Sequence, residues 1–184
     1  TADVTRAWPV NGRFTDAQRE IYTAVLDAQE AAIAAAVPGA TFIEVSDVAT
    51  RSLTIAMLRL GLLEGDPDDD ELVDSLIDEE KHKRFYMHGV GHWLGLDVHD
   101  VGAYTANGES RRLEPGMVLT IEPGLYIGPD EASVPESLRG VGIRIEDDIL
   151  ITADGNEVLT AAIPKQIDEV EACVGRATQS AAAR

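Results

Sequence analysis

The chain opens on an alternation of polar and β-prone residues, Asp3-Val4-Thr5-Arg6-Ala7-Trp8, which predicts a strand. Pro9 stops it, and Asn11-Gly12 marks a turn of the hairpin type. Thr15-Asp16-Ala17-Gln18 has the spacing of a capping box. Behind it Ile21, Tyr22, Val25, Leu26, Ile33 and Val37 recur at helical spacing, so a long helix is predicted from Thr15 to about Val37, closed by Pro38-Gly39. A second helix is expected from about Glu44 to Leu63, apolar on most sides from Leu53 onward and therefore buried. The acidic stretch 64–80 reads as a solvated loop with a short helix over Leu72 to Ile77. After Phe85 the texture changes. Glycines and β-branched residues take over, punctuated by Pro115-Gly116, Pro123-Gly124 and Gly128-Pro129. Met117 to Ile121, Gly142 to Ile151 and Glu157 to Leu159 read as strands, and Ile167 to Ala177 as a last helix carrying Val170, Cys173, Val174 and Ala177 on one face. Helices grouped ahead of strands make the fold class α+β.

Composition adds boundaries to this picture. A chain of 184 residues, 45% of them hydrophobic, suffices for one domain with a sizeable core. The longest apolar-rich part, Leu53 to Leu63, is interrupted by Thr54, Arg59 and Gly61 and is too short to span a bilayer, so no membrane association is expected. The net charge of −18 repels phosphate backbones and anionic lipid, which argues against nucleic acid as a partner. A lone cysteine, Cys173, excludes an internal disulfide and fits a reducing, cytoplasmic setting; it is expected as a small core residue on the last helix. The acidic run Asp68-Asp69-Asp70-Glu71 invites a calcium reading, but it lacks the EF-hand spacing and glycine, so a solvated face is expected. The start at Thr1, with neither Met nor a basic, apolar leader, suggests a fragment or a processed form.

Candidate chemistry concentrates between residues 88 and 148. Three of the four histidines, His88, His92 and His99, fall within twelve residues among Gly89, Gly91 and Gly95. The glycines disfavour a helix and no Glu follows His88, so a helical zinc-protease motif is absent. On a strand His88 and His92 would share a face, with Gly95 supplying the bend that brings His99 to them. Glu122 ends a strand ahead of the rigid Pro123-Gly124, a suitable seat for a ligand. Alternation through Gly142–Ile149 puts Ile143, Ile145 and Asp147 on one face and Arg144, Glu146 and Asp148 on the other. Arg144 and Glu146 in a central strand are costly unless that face lines a site or water. Carboxylates with an imidazole suit Mn, Co, Fe or Zn, and several carboxylates can bridge two ions about 3.5–4 Å apart.

Taken together, His88-Gly-Val-Gly-His92-Trp-Leu-Gly-Leu-Asp-Val-His99-Asp100, Thr120-Ile-Glu122-Pro-Gly124 and Gly142-Ile-Arg-Ile-Glu146-Asp-Asp148 resemble aminopeptidase P. The opening segment from Asp3 to Gly12 is similar to the part of that family that carries a metal aspartate. The resemblance implies the pita-bread metallopeptidase fold shared with prolidase and methionine aminopeptidase: a curved, mostly antiparallel sheet with helices on its outer face. It implies cleavage of the N-terminal Xaa-Pro bond by a metal-bridging hydroxide. By position, Asp3 and Glu146 would bridge two divalent ions, most often manganese, with His92 and Glu122 on one of them. His88 and His99 would hold substrate, and Arg144 would orient the acids. A further family aspartate, about a dozen residues upstream of the position of Asp3, has no counterpart here. Residues 1–184 therefore read as a C-terminal catalytic domain without its first segment or the family's N-terminal domain, expected to bind one ion better than two and to show little activity alone. A homo-oligomer, or association with the missing N-terminal part, is expected. The alternatives are a prolidase acting on Xaa-Pro dipeptides and a truncated, non-catalytic module of the same fold.

Overall fold

The computed structural model describes residues 2–182, with side chains described as far as residue 174. Thr1 and the side chain of Ala177 thus lie outside the described residues. Helix α1 (Asp16–Ala35) starts at Thr15, whose hydroxyl accepts from the Gln18 N–H while the Gln18 side chain accepts from the Thr15 N–H. Helix α2 (Phe42–Arg59) starts the same way, at Thr41 and Glu44. It therefore begins two residues ahead of the Glu44 boundary expected from apolar spacing, because the cap rather than the periodicity sets the start. Helix α3 (Asp70–Asp78) is capped by Asp69. Helix α4 (Ile167–Ala182) closes the chain.

The sheet elements are short and all pairings are antiparallel. They comprise β1 (Leu94–Gly95), β2 (Val98–His99), β3 (Thr105–Ala106), β4 (Glu109–Ser110), β5 (Val118–Ile121), β6 (Gly124–Tyr126), β7 (Gly142–Arg144), β8 (Asp147–Ile151) and β9 (Asn156–Val158). The single strand expected from Gly142 to Ile151 is thus two, β7 and β8, and β5 likewise stops before β6. The register nevertheless runs through the break. Ile121 pairs with Asp147 and Gly124 with Arg144, so Glu122 stands opposite Glu146 and Pro123 opposite Ile145. The Ile145 N–H reaches the Pro123 carbonyl at 3.4 Å, but proline has no N–H to return the bond. The ladder parts there, at the level of the two glutamates.

Two apolar clusters cover the helix side of this double strand. One joins Ile21, Tyr22 and Val25 of α1 and Leu53 and Met57 of α2 to Leu125, Ile143 and Ile145. The other joins Ala32, Val45 and Ala49 to Trp93, Leu119, Ile121, Ile149 and Ile151. Each fully buried aliphatic side chain of this size contributes about 1.5–3 kcal/mol by leaving water. The odd-numbered residues of β5 and β8 thus face the helices, and the even-numbered ones face the other way.

Asp147 is the exception on the apolar face, with no exposure at all. It takes bonds from Arg6 (2.7 Å), Thr160 (2.7 Å), Gln29 of α1 (2.9 Å) and Lys165 (3.0 Å). Burial on its own would raise this carboxyl, but Thr160, Arg6 and Lys165 outweigh it and hold Asp147 below the ordinary carboxylate range.

Two local expectations fail. Residues 3–8 do not form a ladder strand; they lie along the edge of the sheet, where the Thr5 carbonyl accepts the Glu146 N–H at 3.1 Å. Cys173 is exposed rather than in the core, because Val170 and Glu171 are the residues α4 turns inward.

Candidate functional site

The even-numbered face at the break of the ladder is polar by construction. Glu122 and Glu146 donate their N–H groups outward, to Val90 (2.7 Å) and to Thr5 (3.1 Å). They are thus a non-hydrogen-bonded antiparallel pair, the type in which opposing side chains approach most closely. Thr120 and Asp148 form the next rung. Two further segments close over this face, residues 3–6 on the β8 side and residues 90–93 on the β5 side, where Trp93 bridges to Leu119.

His92 arrives on that second segment by a close approach of backbones. The Thr120 N–H donates to the His92 carbonyl at 2.8 Å and the His92 N–H donates to the Thr120 hydroxyl at 3.0 Å. A Cβ on the preceding Gly91 would sit 1.9 Å from the Thr120 carbonyl oxygen, so glycine is required there. The His92 ring is oriented by Nδ1, which donates to the Trp93 carbonyl at 3.0 Å. In the neutral ring this leaves the Nε2 lone pair facing Asp3 Oδ2 at 3.2 Å and Glu122 Oε1 at 3.5 Å.

Asp3, His92 and Glu146 each present one ligand atom, and these atoms lie within 4.8 Å of one another. All are acceptors, and only a proton or a cation between them relieves their repulsion. The donor set, carboxylate oxygens with one imidazole, therefore fits a divalent metal ion. Glu122 stands beside this set rather than in it. Its Oε2 turns toward Arg144 Nη1 at 3.4 Å, and its Oε1 takes the Thr120 hydroxyl at 3.3 Å. Burial raises Glu146 above the ordinary carboxylate range; the Thr5 hydroxyl bonded to its Oε2 and Arg144 oppose the rise, and the negative charges of Glu122 and Asp3 add to it.

The other residues singled out from the sequence surround this centre. The His99 ring packs edge-on against His92 with centroids 4.2 Å apart. It is brought there by the β1–β2 hairpin, which pairs Leu94 with His99, and not by a bend at Gly95. His88 and His92 do not share a strand face as parity predicts, since residues 88–92 lie outside any regular strand. Its Nδ1 meets the Gly89 carbonyl at 2.8 Å, and its Nε2 accepts from the Tyr126 hydroxyl at 2.8 Å. Tyr86 stacks edge-on against the same ring at 5.0 Å. Burial raises the Tyr126 phenol, and raises the Tyr86 phenol further.

Sequence reasoning missed Thr5, Thr120, Tyr86 and Tyr126 as members of the site. Thr120 could have been found by parity, two residues before Glu122. Thr5 and the tyrosines gave no comparable signal, because only tertiary packing brings them in. Asp148 was legible on the polar face. It is 3% exposed, its Oδ2 accepts the Asp3 N–H at 3.2 Å, and its Oδ1 is buried without a partner.

A carboxylate and imidazole cluster thus lies at the parted centre of an antiparallel sheet, with His99 packed on His92, and forms a candidate metal centre. The chain belongs to metallopeptidase family M24, whose model matches residues 1–153. It is 55% identical to the Xaa-Pro aminopeptidase of Escherichia coli over 170 residues, which is 92% of this chain and 37% of that protein. It is 37% identical to human Xaa-Pro aminopeptidase 3, covering 96% of this chain and 33% of that one. Among solved structures, the aminopeptidase PepP of Pseudomonas aeruginosa superposes with a TM-score of 0.91 at 49% identity, over 97% of this chain and 39% of that one. A zinc-substituted Escherichia coli aminopeptidase P in complex with product superposes at 0.86 with 53% identity, over 95% of this chain and 38% of that one. The fold is accordingly the pita-bread fold in part, and the chain spans about a third of the length of the relatives it matches, 37% of one and 33% of the other.

Proposed function

We propose that the chain is the metal-binding part of an enzyme that removes the N-terminal residue from peptides with proline in second position. It corresponds on this reading to the C-terminal catalytic domain of the longer relatives, and acts with the remainder of such a protein or with further copies of itself. The observation that carries the reading is the convergence of Asp3, His92 and Glu146 with Glu122 at the parted ladder. The names of the curated relatives favour an aminopeptidase over a prolidase, and the presence of Asp3, His92, Glu122 and Glu146 argues against a non-catalytic module.

In this reading Asp3, His92 and Glu146 would hold divalent metal, and Glu122, beside His92, would join them once an ion is bound. Manganese is favoured by a donor set dominated by carboxylates. The ions, when bound, supply Lewis-acid polarisation of the scissile carbonyl and a water of lowered pKa. The chain's own residues orient these events. The Trp93 carbonyl fixes the His92 tautomer, and Arg144 holds Glu122 by one oxygen. His99, exposed beside His92, offers a ring nitrogen to the peptide and to the oxyanion that develops on it, whereas His88, whose ring nitrogens meet the Gly89 carbonyl and the Tyr126 hydroxyl, would exchange one of these bonds to hold substrate. A Xaa-Pro bond has no N–H on the proline side, so such a site requires no acceptor for that group. No helix among the described residues is long and apolar enough to cross a membrane, and a cytoplasmic location with peptides as partners is proposed.

The test is a peptide pair differing only at the second residue, proline against alanine, with and without Mn2+. Release of the first residue from the proline peptide alone, abolished by a chelator and restored by Mn2+, is expected, at a low rate for this chain alone. Faster cleavage of a Xaa-Pro dipeptide than of a longer Xaa-Pro peptide favours the prolidase reading, and equal cleavage of the alanine peptide contradicts both.

A further inference from the structure

Asp3 and Glu146 have to be held together, although like charge drives them apart and Asp3 sits on a segment with no ladder to fix it. Three residues tie that segment to Glu146 and β8. The Asp3 N–H reaches Asp148 at 3.2 Å, Thr5 bonds Glu146 through both its hydroxyl and its carbonyl, and Arg6 makes the largest share. The Arg6 side chain is 9% exposed. Its Nη1 donates to the carbonyls of Glu146 (2.7 Å) and Thr5 (3.0 Å), its Nη2 to Asp147 (2.7 Å) and the Ile163 carbonyl (3.0 Å), and its Nε to the Pro164 carbonyl (2.9 Å). One planar fork thus joins the segment carrying Asp3, the residue after Glu146, and the loop before α4.

We propose that Arg6 is a positioning residue for the metal centre: from the helix side of the sheet it sets the separation of Asp3 and Glu146, and through it the affinity for the ion. This rests on the metallopeptidase reading of the site. Arg6 touches none of the candidate ligand atoms; it acts through the carbonyl of Glu146 itself and that of Thr5, two residues from Asp3. The geometry needs arginine rather than any cation. A lysine could still pair with Asp147, but it has no rigid fork to serve carbonyls in three directions. Partners that orient metal ligands in this indirect way are generally worth about ten- to hundred-fold in metal affinity.

Lys165 supplies the matched control. It bonds the same buried Asp147 carboxylate at 3.0 Å and Gln29 at 2.8 Å, but touches neither the 3–6 segment nor Glu146. The experiment measures Mn2+ affinity by calorimetric titration of the unsubstituted chain, Arg6→Lys and Lys165→Met, with the melting temperature of each metal-free protein alongside. Arg6→Lys is expected to bind Mn2+ about ten- to hundred-fold more weakly, while Lys165→Met loses stability and keeps its affinity. Equal losses in the two variants, no loss in Arg6→Lys, or a loss confined to Lys165→Met each overturn the proposal. Absence of Mn2+ binding by the unsubstituted chain overturns the metal reading along with it.

Discussion

Glu146→Gln should stabilise the metal-free chain while removing its response to metal. Glu146 is 3% exposed and its ligand oxygen lies within 4.8 Å of that of Asp3. Two unit charges at that distance repel by about 3.5 kcal/mol at an effective dielectric of about 20, and by under about 1 kcal/mol in bulk water. The Asp3 side chain is 27% exposed, so the relief on neutralising Glu146 falls between these bounds, about 1–3 kcal/mol. Glutamine keeps an oxygen for the Thr5 hydroxyl and nearly the same volume, so no cavity offsets the gain. For a chain of this size about 1 kcal/mol moves the melting temperature by about 2–4 °C. A rise of roughly 2–12 °C is therefore expected in a chelator at pH 7–8. The unsubstituted chain, by contrast, should gain about 2.7 kcal/mol when Mn2+ is present at a hundred times its dissociation constant, and Glu146→Gln should lose most of that gain. Differential scanning calorimetry with chelator and with Mn2+ reads both. A metal-free variant that melts lower than its parent, or one that keeps the full Mn2+ shift, refutes the reasoning.

Gly91→Ala forces a Cβ to 1.9 Å from the Thr120 carbonyl; a loss of at least about 1–3 kcal/mol by urea denaturation is expected, together with loss of Mn2+ binding. The Asp147 carboxyl is held below its ordinary range. A lowered folded value means that its contribution is present above the unfolded carboxylate pKa and is lost as pH falls through the folded value. Asp147→Asn should therefore flatten the acid side of the stability–pH curve, read by thermal melts from pH 7 downward. Tyr126→Phe removes the hydroxyl that fixes His88 Nε2, and should reduce turnover of a Xaa-Pro peptide about ten-fold or more with little change in Mn2+ affinity, measured side by side. Cys173 is exposed on α4, so a thiol reagent should label it fully in the native protein without shifting the melting temperature.

Much of this architecture is readable in the chain, for physical reasons that differ by element. Helix α1 is legible because its capping box and apolar stripe agree. Helix α2 is legible in its core but not at its start, because Thr41 and Glu44 form a capping box outside the apolar run. The parity of residues 142–149 correctly separates Ile143, Ile145 and Asp147 from Arg144, Glu146 and Asp148. It does not reveal that Pro123, on the neighbouring strand, breaks the ladder there. It also gives no hint that Asp147 is neutralised by Arg6 and Lys165, which come from opposite ends of the chain. A strand through His88 and His92 does not form, although His99 lies on one. His92 reaches the site through a backbone contact that only Gly91 permits, and His99 through a hairpin closed by Leu96 and Asp97. Neither is expressed in a period of two. Asp3 is the least readable of the three acids and one imidazole, since nothing local distinguishes it; its place depends on Thr5 and Arg6 meeting residues about 140 positions away.

The metal centre itself is open to one direct measurement: the Mn2+ retained by the chain after equilibration and gel filtration, compared with His92→Ala. His92 Nε2 is the only nitrogen of the candidate set, and its ring is fixed by the Trp93 carbonyl, so the alanine variant removes a ligand while leaving the carboxylates in place. Mn2+ is expected on the unsubstituted chain, one ion more tightly bound than a second, with almost none on His92→Ala. A chain that retains no Mn2+, or a His92→Ala variant that retains as much as its parent, contradicts the metal reading of the site.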